Sequence, residues 1–466
     1  MSYETAVARM YALGHELANT PSHKFDLAHM RVLLGALNHP ERRFPSVLIA
    51  GTNGKGSTAA TLASILRASG LRTGLYTSPH LVRINERIRI CGSEIGDGDF
   101  ALLHDVVDRT AERLVEEGEL PWHPSFFEMM TAIAFVYFAR ERVEMAVLEV
   151  GMGGRLDATN VVEPRVSVIA DISLDHQKFL GNTVGEIAHE KVGIIRPGGV
   201  VVTLPQQPEA NDVIGNTILE LGARGVSAVQ YVPPVSPGST QYSVLSAQKN
   251  TCTAEAAESA EQGRSQTLSR YPLQVMGTQI LVESPLVGRH QLRNVALAIA
   301  AAEELAKQGV AGITAGSIER GIRETRWPGR FQVVPGRAGG PDMVLDVAHN
   351  PAGAWALRSA LSERYDDRPL IFVFGAMRDK AISEMTEILF PLALRVIATR
   401  AENPRSASPE EIQQAGSRTG AEIEPVAEVA AALQRARDGA GPEAVIVVTG
   451  SIYLVGEAMR LLGVRV

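Results

Sequence analysis

Residues 46–58 form a short β-branched run that breaks into a glycine-rich turn and then a helix, and no other stretch restricts the fold so sharply. The turn is Gly51, Thr52, Asn53, Gly54, Lys55, Gly56, Ser57 and Thr58. Glycines let the backbone curl until successive N–H groups point at one anion, and the positive end of the following helix reinforces them. That helix is expected over 58–68, with Leu62, Ile65 and Leu66 on one face. Lys55 adds a point charge, and Ser57 or Thr58 a hydroxyl able to reach a magnesium ion. The spacing departs from the common phosphate loop: Ile49 stands where a glycine is usual, and Gly56 follows the lysine. The expectation is a strand–loop–helix unit that binds a nucleoside triphosphate.

Further β-branched runs at 146–150, 166–172, 200–204, 343–347, 370–374, 394–399 and 444–449 read as strands buried on both faces. Most run into a turn and then a helical pattern, which predicts parallel sheets covered by helices. In the last quarter, strands alternate with helices from Pro351, near 380–390, after Pro409 and at the end. That alternation predicts an independent doubly wound α/β unit. Residues 233–270, rich in Ser, Gln, Ala and Glu, read as a solvated surface excursion between strands of a hairpin. Pro328 and Gly329 break the helix that ends near Arg323 and mark residues 324–330 as an interdomain hinge.

Composition narrows the function classes. The 466 residues are 45% hydrophobic and 21% charged, which is ordinary for globular domains, and the length suits two or more of them. Forty-five basic residues against 52 acidic ones give a net charge of −7 with no basic run, so a dedicated nucleic-acid or anionic-membrane binder is not expected. Cys91 and Cys252 are too few for a disulfide framework. The start lacks a basic segment followed by an apolar core, and the apolar stretch at 129–139 is short of a membrane span. A soluble, cytoplasmic protein is expected.

Several strand ends carry chemistry. Glu149 closes the 146–150 strand before Gly151, Gly153 and Gly154. A carboxylate buried there requires a partner, either a metal ion or Arg155. The next strand ends in Asp171 and leads to Asp175 and His176, with His176 either a magnesium ligand or a structural histidine. Thr183 and Glu186 have capping-box spacing for a helix to about Ile194. On it, Lys191 shares a face with Ile187. A buried lysine has a lowered pKa, and its neutral amine can take up carbon dioxide as a carbamate; the alternative is a lysine favoured by the helix dipole. Asp346 and His349 stand at the end of the 343–347 strand, as a pair facing the nucleotide or as part of an N-cap around Asn350. His290 and Asn294 are four apart on a helix, as a nucleotide contact or an exposed polar face. Met129 and Met130 read as core.

Together, His23 to Leu27, the 51–58 loop, Thr77-Ser78-Pro79-His80-Leu81, Phe127-Glu128, residues 149–160, Asp175-His176, Glu190 to Ile194, residues 288–294, Arg326 to Phe331, Asp346 to Pro351 and Thr449-Gly450-Ser451 resemble the folylpolyglutamate synthase/dihydrofolate synthase family, within the Mur ligase group. The resemblance implies an ATP-binding N-terminal domain with a parallel sheet over 1–323, a linker at 324–329 and a smaller Rossmann-like domain over 330–466, with catalysis in the cleft between them. It implies ATP and two Mg2+ ions as cofactors, with a monovalent cation as a further candidate. It assigns Ser78, Glu149 and His176 to magnesium and Lys191 to a carbamylated lysine. Asn294, Arg330 and Asp346 match nucleotide contacts, and His349, beside Asp346, is a candidate catalytic residue with Lys55 and Lys191. A pterin pocket would involve Asp26, Leu27, Ser125, Phe126, Phe127, Glu128, Leu156, Asp157 and Ala158. Ser57 and Val192 depart from the common Thr and Ala, and the 233–270 segment is longer than usual.

The implied reaction is ATP-dependent amide formation through an acyl phosphate. It would join L-glutamate to dihydropteroate or to reduced folates, in a monomer. A Mur ligase acting on nucleotide-linked muramic acid is disfavoured, because those enzymes carry an extra domain before the loop and 50 residues precede Gly51 here. A nucleotide-hydrolysing switch would instead release ADP slowly without any acid or amine substrate.

Overall fold

The computed structural model describes residues 1–14, 27–234, 268–336 and 340–464. Asp26 and residues 235–267 of the polar excursion lie outside them. The chain divides into two compact units: Met1–Val232 with Gln274–Ile280 and Arg293–Glu324, and Pro233–Leu273 with Leu281–Leu292 and Thr325–Val466.

In the first unit, β1 (Ser46–Ala50), β2 (Thr73–Tyr76), β3 (Ile88–Ile90), β4 (Ser93–Glu94), β5 (Met145–Glu149), β6 (Val166–Ile169), β7 (Val200–Thr203) and β8 (Arg224–Ser227) form one sheet in the order β4-β3-β2-β5-β1-β6-β7-β8. From β2 to β8 every pairing is parallel, and β3 and β4 add an antiparallel edge. Every residue of β1 and β5 is buried, as continuous apolar runs between helices require. Parallel register sets Ile49 beside Glu149 and Ala50 beside Ile169. The loops leaving β2, β5, β1 and β6 therefore emerge along one edge, where the strand order reverses and open α/β sheets bind ligands. The helix Phe126–Arg140 is apolar on nearly all sides and fills the core beneath, with Met129 and Met130 fully buried.

Strands β9 (Ser269–Val275) and β10 (Thr278–Ser284) pair with each other. Their two-residue turn, Met276-Gly277, has positive φ at both positions, which suits the twist of a tight hairpin. The strands described on either side of the polar excursion, β8 and β9, belong to different sheets; the hairpin expected across it falls on residues 235–267, outside the described residues.

The second unit holds β11 (Gln332–Val334), β12 (Asp342–Leu345), β13 (Leu370–Phe374), β14 (Ala393–Ala398), β15 (Ile423–Pro425) and β16 (Val445–Thr449) in the order β11-β12-β16-β13-β14-β15. All pairings but β11–β12 are parallel. Helices Pro351–Tyr365, Ile382–Leu389 and Pro409–Ala415 pack as one set, and Val429–Asp438 and Ile452–Leu462 as another. The protein is thus mixed α/β, with two largely parallel sheets.

Candidate active site

The loop after β1 is built from short-range constraints. Gly54 caps the Lys55–Ala68 helix with φ +84°, and a Cβ there would run into the Asn294 side chain, so only glycine fits. The helix begins three residues earlier than expected, which places Lys55 in its first turn. Thr52 and Asn53 donate their N–H groups to the Asp171 carbonyl at 2.8 and 3.1 Å, and Thr52 Oγ1 donates to the Ser173 carbonyl at 2.9 Å. The phosphate loop is thereby tied to the loop after β6. Lys55 Nζ folds back onto the carbonyls of Gly51 and Thr52 at 3.1 and 3.2 Å. Ser57 and Thr58 are buried, and Thr58 Oγ1 has no hydrogen-bond partner among the described residues. The first amides of a helix have no acceptors within it, so this end presents N–H dipoles and a lysine to an anion.

Asn294 is buried against this loop, so the exposed-face alternative does not hold for it. Its neighbour Arg293 grips the Asp171 carboxylate through both Nε and Nη2, at 3.1 and 2.6 Å. Sequence reasoning missed that fork. Its only signal is an arginine beside the matched asparagine.

At the end of β5, Glu149 is 5% exposed, and its Oε2 accepts the Ser78 N–H at 3.2 Å. The alternative pairing with Arg155 is not formed, because Arg155 bonds Glu190 at 2.8 Å. The contact runs through the Ser78 backbone, which brings a hydroxyl-bearing residue to the carboxylate; both side chains are hard oxygen donors of the kind magnesium takes. Among the described residues, no three His, Cys, Asp or Glu side chains gather to hold an ion by themselves, so hydroxyl and phosphate oxygens would have to complete the shell. Asp157, buried in the glycine-rich loop, accepts N–H bonds from Met152 and Thr159 at 3.0 Å each. Burial raises its pKa against those bonds.

His176 adopts a left-handed conformation (φ +51°) and its N–H bonds the Asp175 carboxylate at 2.8 Å. Its ring Nε2 stands 3.9 Å from Asp175 Oδ2. The helix Val184–Val192 starts in the expected capping box: Thr183 Oγ1 accepts the Glu186 N–H at 3.2 Å, and Glu186 accepts that of Thr183 at 3.0 Å. The helix ends two residues sooner than expected. Ile187 and Lys191 both point inward and are buried. Loss of solvation, with the positive charge of Lys55 beside it, lowers the Lys191 pKa to about 7, against the opposing pull of Asp175, Asp157 and Glu190. Much of this amine is neutral near pH 7.

The expected pterin-pocket residues within the described chain lie in the first unit. The Leu27–Ala36 helix, the Phe126–Arg140 helix and the Ala158–Val161 turn pack together. Ser125 and Glu128 are occupied with each other in a capping box, Ser125 Oγ donating to Glu128 Oε2 at 2.7 Å. Phe127 lies against Gly151, Leu156 is half-buried, and Ala158 is buried. Phe126 stacks on Tyr11 at 5.9 Å, with the Arg87 guanidinium over its ring at 5.1 Å. Arg87 Nε donates to His80 Nδ1 at 2.8 Å, which leaves the proton on Nε2, 3.2 Å from the Tyr11 hydroxyl. Nothing in local spacing links residue 11 to residues 80 and 87, so the contacts of Tyr11 and Arg87 with Phe126 and His80 have no signal in the sequence.

In the second unit, Asp346 accepts N–H bonds from Phe331 and Ala348 at 2.8 and 2.9 Å. Burial raises its pKa although the Arg330 charge opposes the shift. His349 Nδ1 contacts the Val347 carbonyl at 2.9 Å, and Asn350 Oδ1 caps the next helix by accepting the Gly353 N–H at 2.8 Å. The N-cap arrangement is therefore formed, with Asp346 three residues before the histidine.

Two family models match the chain, a Mur ligase middle domain over residues 49–220 and a Mur ligase glutamate ligase domain over 329–452. Over 444 residues the chain is 32% identical to the dihydrofolate synthase/folylpolyglutamate synthase of Bacillus subtilis, covering 94% of each. The folylpolyglutamate synthase of Mycobacterium tuberculosis, complexed with ADP and AMPPCP, gives a TM-score of 0.80 at 28% identity over 98% of this chain and 99% of that one. An FPGS–AMPPCP–folate complex gives 0.78 at 30% identity over 99% of this chain and 100% of that one. The chain belongs to the folylpolyglutamate synthase/dihydrofolate synthase family of ATP-dependent amide ligases.

Proposed function

We propose that this chain uses ATP to join L-glutamate to a pterin-linked carboxylate, converting dihydropteroate to dihydrofolate or lengthening the tail of a reduced folate. The observation that carries the reading is the gathering, along one sheet edge, of the Lys55 loop and the Ser78–Glu149 pair, with the buried Lys191 amine close enough to feel the Lys55 charge. Relatives of the same length hold ADP, AMPPCP or folate.

A carboxylate resists amide formation because its leaving group would be oxide. Its oxygen therefore attacks the γ-phosphorus, ADP departs, and the amine of glutamate then displaces phosphate from the acyl phosphate. The chain's own part is alignment and electrostatics. The amides of residues 54–57 and Lys55 would bind the phosphates, while those of Thr52 and Asn53 hold the loop to the Asp171 carbonyl; Asn294, packed on Gly54, would contact the nucleotide there. Ser78, Glu149 and His176 would hold magnesium, which when bound neutralises phosphate charge. Lys191 would add carbon dioxide: its nitrogen forms a bond to carbon, a proton leaves to solvent, and the product is anionic. That charge would offset Lys55 and give the buried amine a reason to be there. Leu27, Phe126, Phe127, Leu156, Asp157 and Ala158 would face the pterin. Arg330 and Asp346 would contact the nucleotide, with His349 as a candidate catalytic residue beside Asp346.

The test measures ADP release with 7,8-dihydropteroate and, separately, with tetrahydrofolate, each with and without L-glutamate, and identifies the products by mass spectrometry. The reading predicts glutamate-dependent ADP release and a product one glutamyl unit heavier with at least one acid. ADP release indifferent to both acid and amine would overturn it in favour of a hydrolytic switch.

A further inference from the structure

We infer that Asn160 and Arg196 are positioning residues for Lys191, holding the last turn of its helix against the loop that leaves β5. Neither touches the reacting atoms. Asn160 is 5% exposed and its amide is fully used. Its Nδ2 donates to the Arg155 carbonyl at 3.1 Å, on the loop, and to the Gly193 carbonyl at 3.0 Å, at the end of the helix. Its Oδ1 accepts from Arg196 Nη2 at 2.9 Å. The same nitrogen donates to the carbonyls of Asn160 and Val162 at 2.9 and 2.7 Å, and Nη1 reaches those of Gly193 and Ile194 at 3.5 and 3.4 Å. The Arg155 N–H completes the joint by donating to the Glu190 carbonyl at 2.8 Å.

A helix end normally leaves its last carbonyls for solvent or a cap. Here the Glu190 carbonyl of the last turn is bonded by the backbone of residue 155, and the Gly193 and Ile194 carbonyls just past it by the side chains of residues 160 and 196, so the turn bearing Lys191 is joined to the loop bearing Asp157. Without this joint, water reaches the last turn and Lys191 loses its fixed distance from Lys55 and Asp157. The chemistry attributed to Lys191 rests on the proposed function, but the positioning can be tested apart from the carbamate.

The experiment is a double-mutant cycle on kcat in the full chain, with Asn160→Ala, Lys191→Ala and the pair. Asn160→Ala is expected to lower kcat about tenfold, the scale of losing a buried hydrogen-bonded amide, with KM for ATP within about twofold. In the Lys191→Ala background the same change should cost less than about twofold, since its target is gone. Arg196→Lys, which keeps a charge and a donor, should retain more kcat than Arg196→Met at matched thermal stability. Equal losses from Asn160→Ala in both backgrounds, or equal kcat in the two Arg196 variants, would overturn the inference. NMR of the wild type in carbon-labelled bicarbonate separates the two readings: absence of a carbamate signal that depends on Lys191 overturns the carbamate, while the cycle alone decides the roles of Asn160 and Arg196.

Discussion

Burial pushes the proton affinity of Lys191 and of His104 in the same direction, and the two side chains differ in what surrounds them. Lys191 has three acidic neighbours and Lys55. His104 lies wholly buried on the Asp97–Glu116 helix, and neither ring nitrogen has a hydrogen-bond partner among the described residues. Burial lowers its pKa below 6.5; Asp108 and Asp105 oppose the shift, while Arg9 and His123 reinforce it. As pH falls through 6.5 the unfolded chain takes up this proton before the folded one, so stability is intact above that value and is lost below it. The slope contributed is at most about 1.4 kcal/mol per pH unit. Urea unfolding of His104→Leu should show stability at pH 7 equal to or above wild type, because an unsatisfied polar group is removed. It should also show a shallower decline toward pH 5.5. A decline as steep as wild type would locate the acid sensitivity elsewhere.

At the scale of elements, close approach does much of the positioning. A Cβ on Gly154 would sit 2.9 Å from the carbonyls of both Glu190 and Lys191, so the β5 loop and the Lys191 helix can touch only through a glycine. Gly154→Ala should destabilise the protein by about 1–3 kcal/mol, the usual cost of overpacking, and lower kcat more than KM for ATP; a melt and a steady-state assay check this. Unchanged kcat would mean that the contact is not needed for Lys191. Much of this architecture was legible in the residues themselves. The β1, β5 and β13 runs are long and apolar enough to mark buried strands, and Thr183 with Glu186 announces its helix by local hydrogen bonding. The short strands β2, β3, β4, β8, β11 and β15 were not legible. They span only two to four residues each, and pairing with neighbours rather than pattern makes them strands. The Arg293–Asp171 fork and the Tyr11–His80–Arg87 chain stayed hidden for a related reason: each joins residues distant in sequence, and only the tertiary fold brings them together.

Over the whole molecule, matched motifs from residue 23 to residue 451 carry the family, while the reaction rests on what a few strand ends do together. A phosphate loop alone serves hydrolysis as readily as ligation. What separates the two is whether the triphosphate reacts with water or with a carboxylate, and the phosphate released records that choice in its oxygens. The decisive measurement is turnover of the acid substrate with heavy oxygen in its carboxylate, with mass spectrometry of the inorganic phosphate formed. The account predicts transfer of one labelled oxygen to each phosphate for every amide made; phosphate free of label while amide accumulates would contradict it.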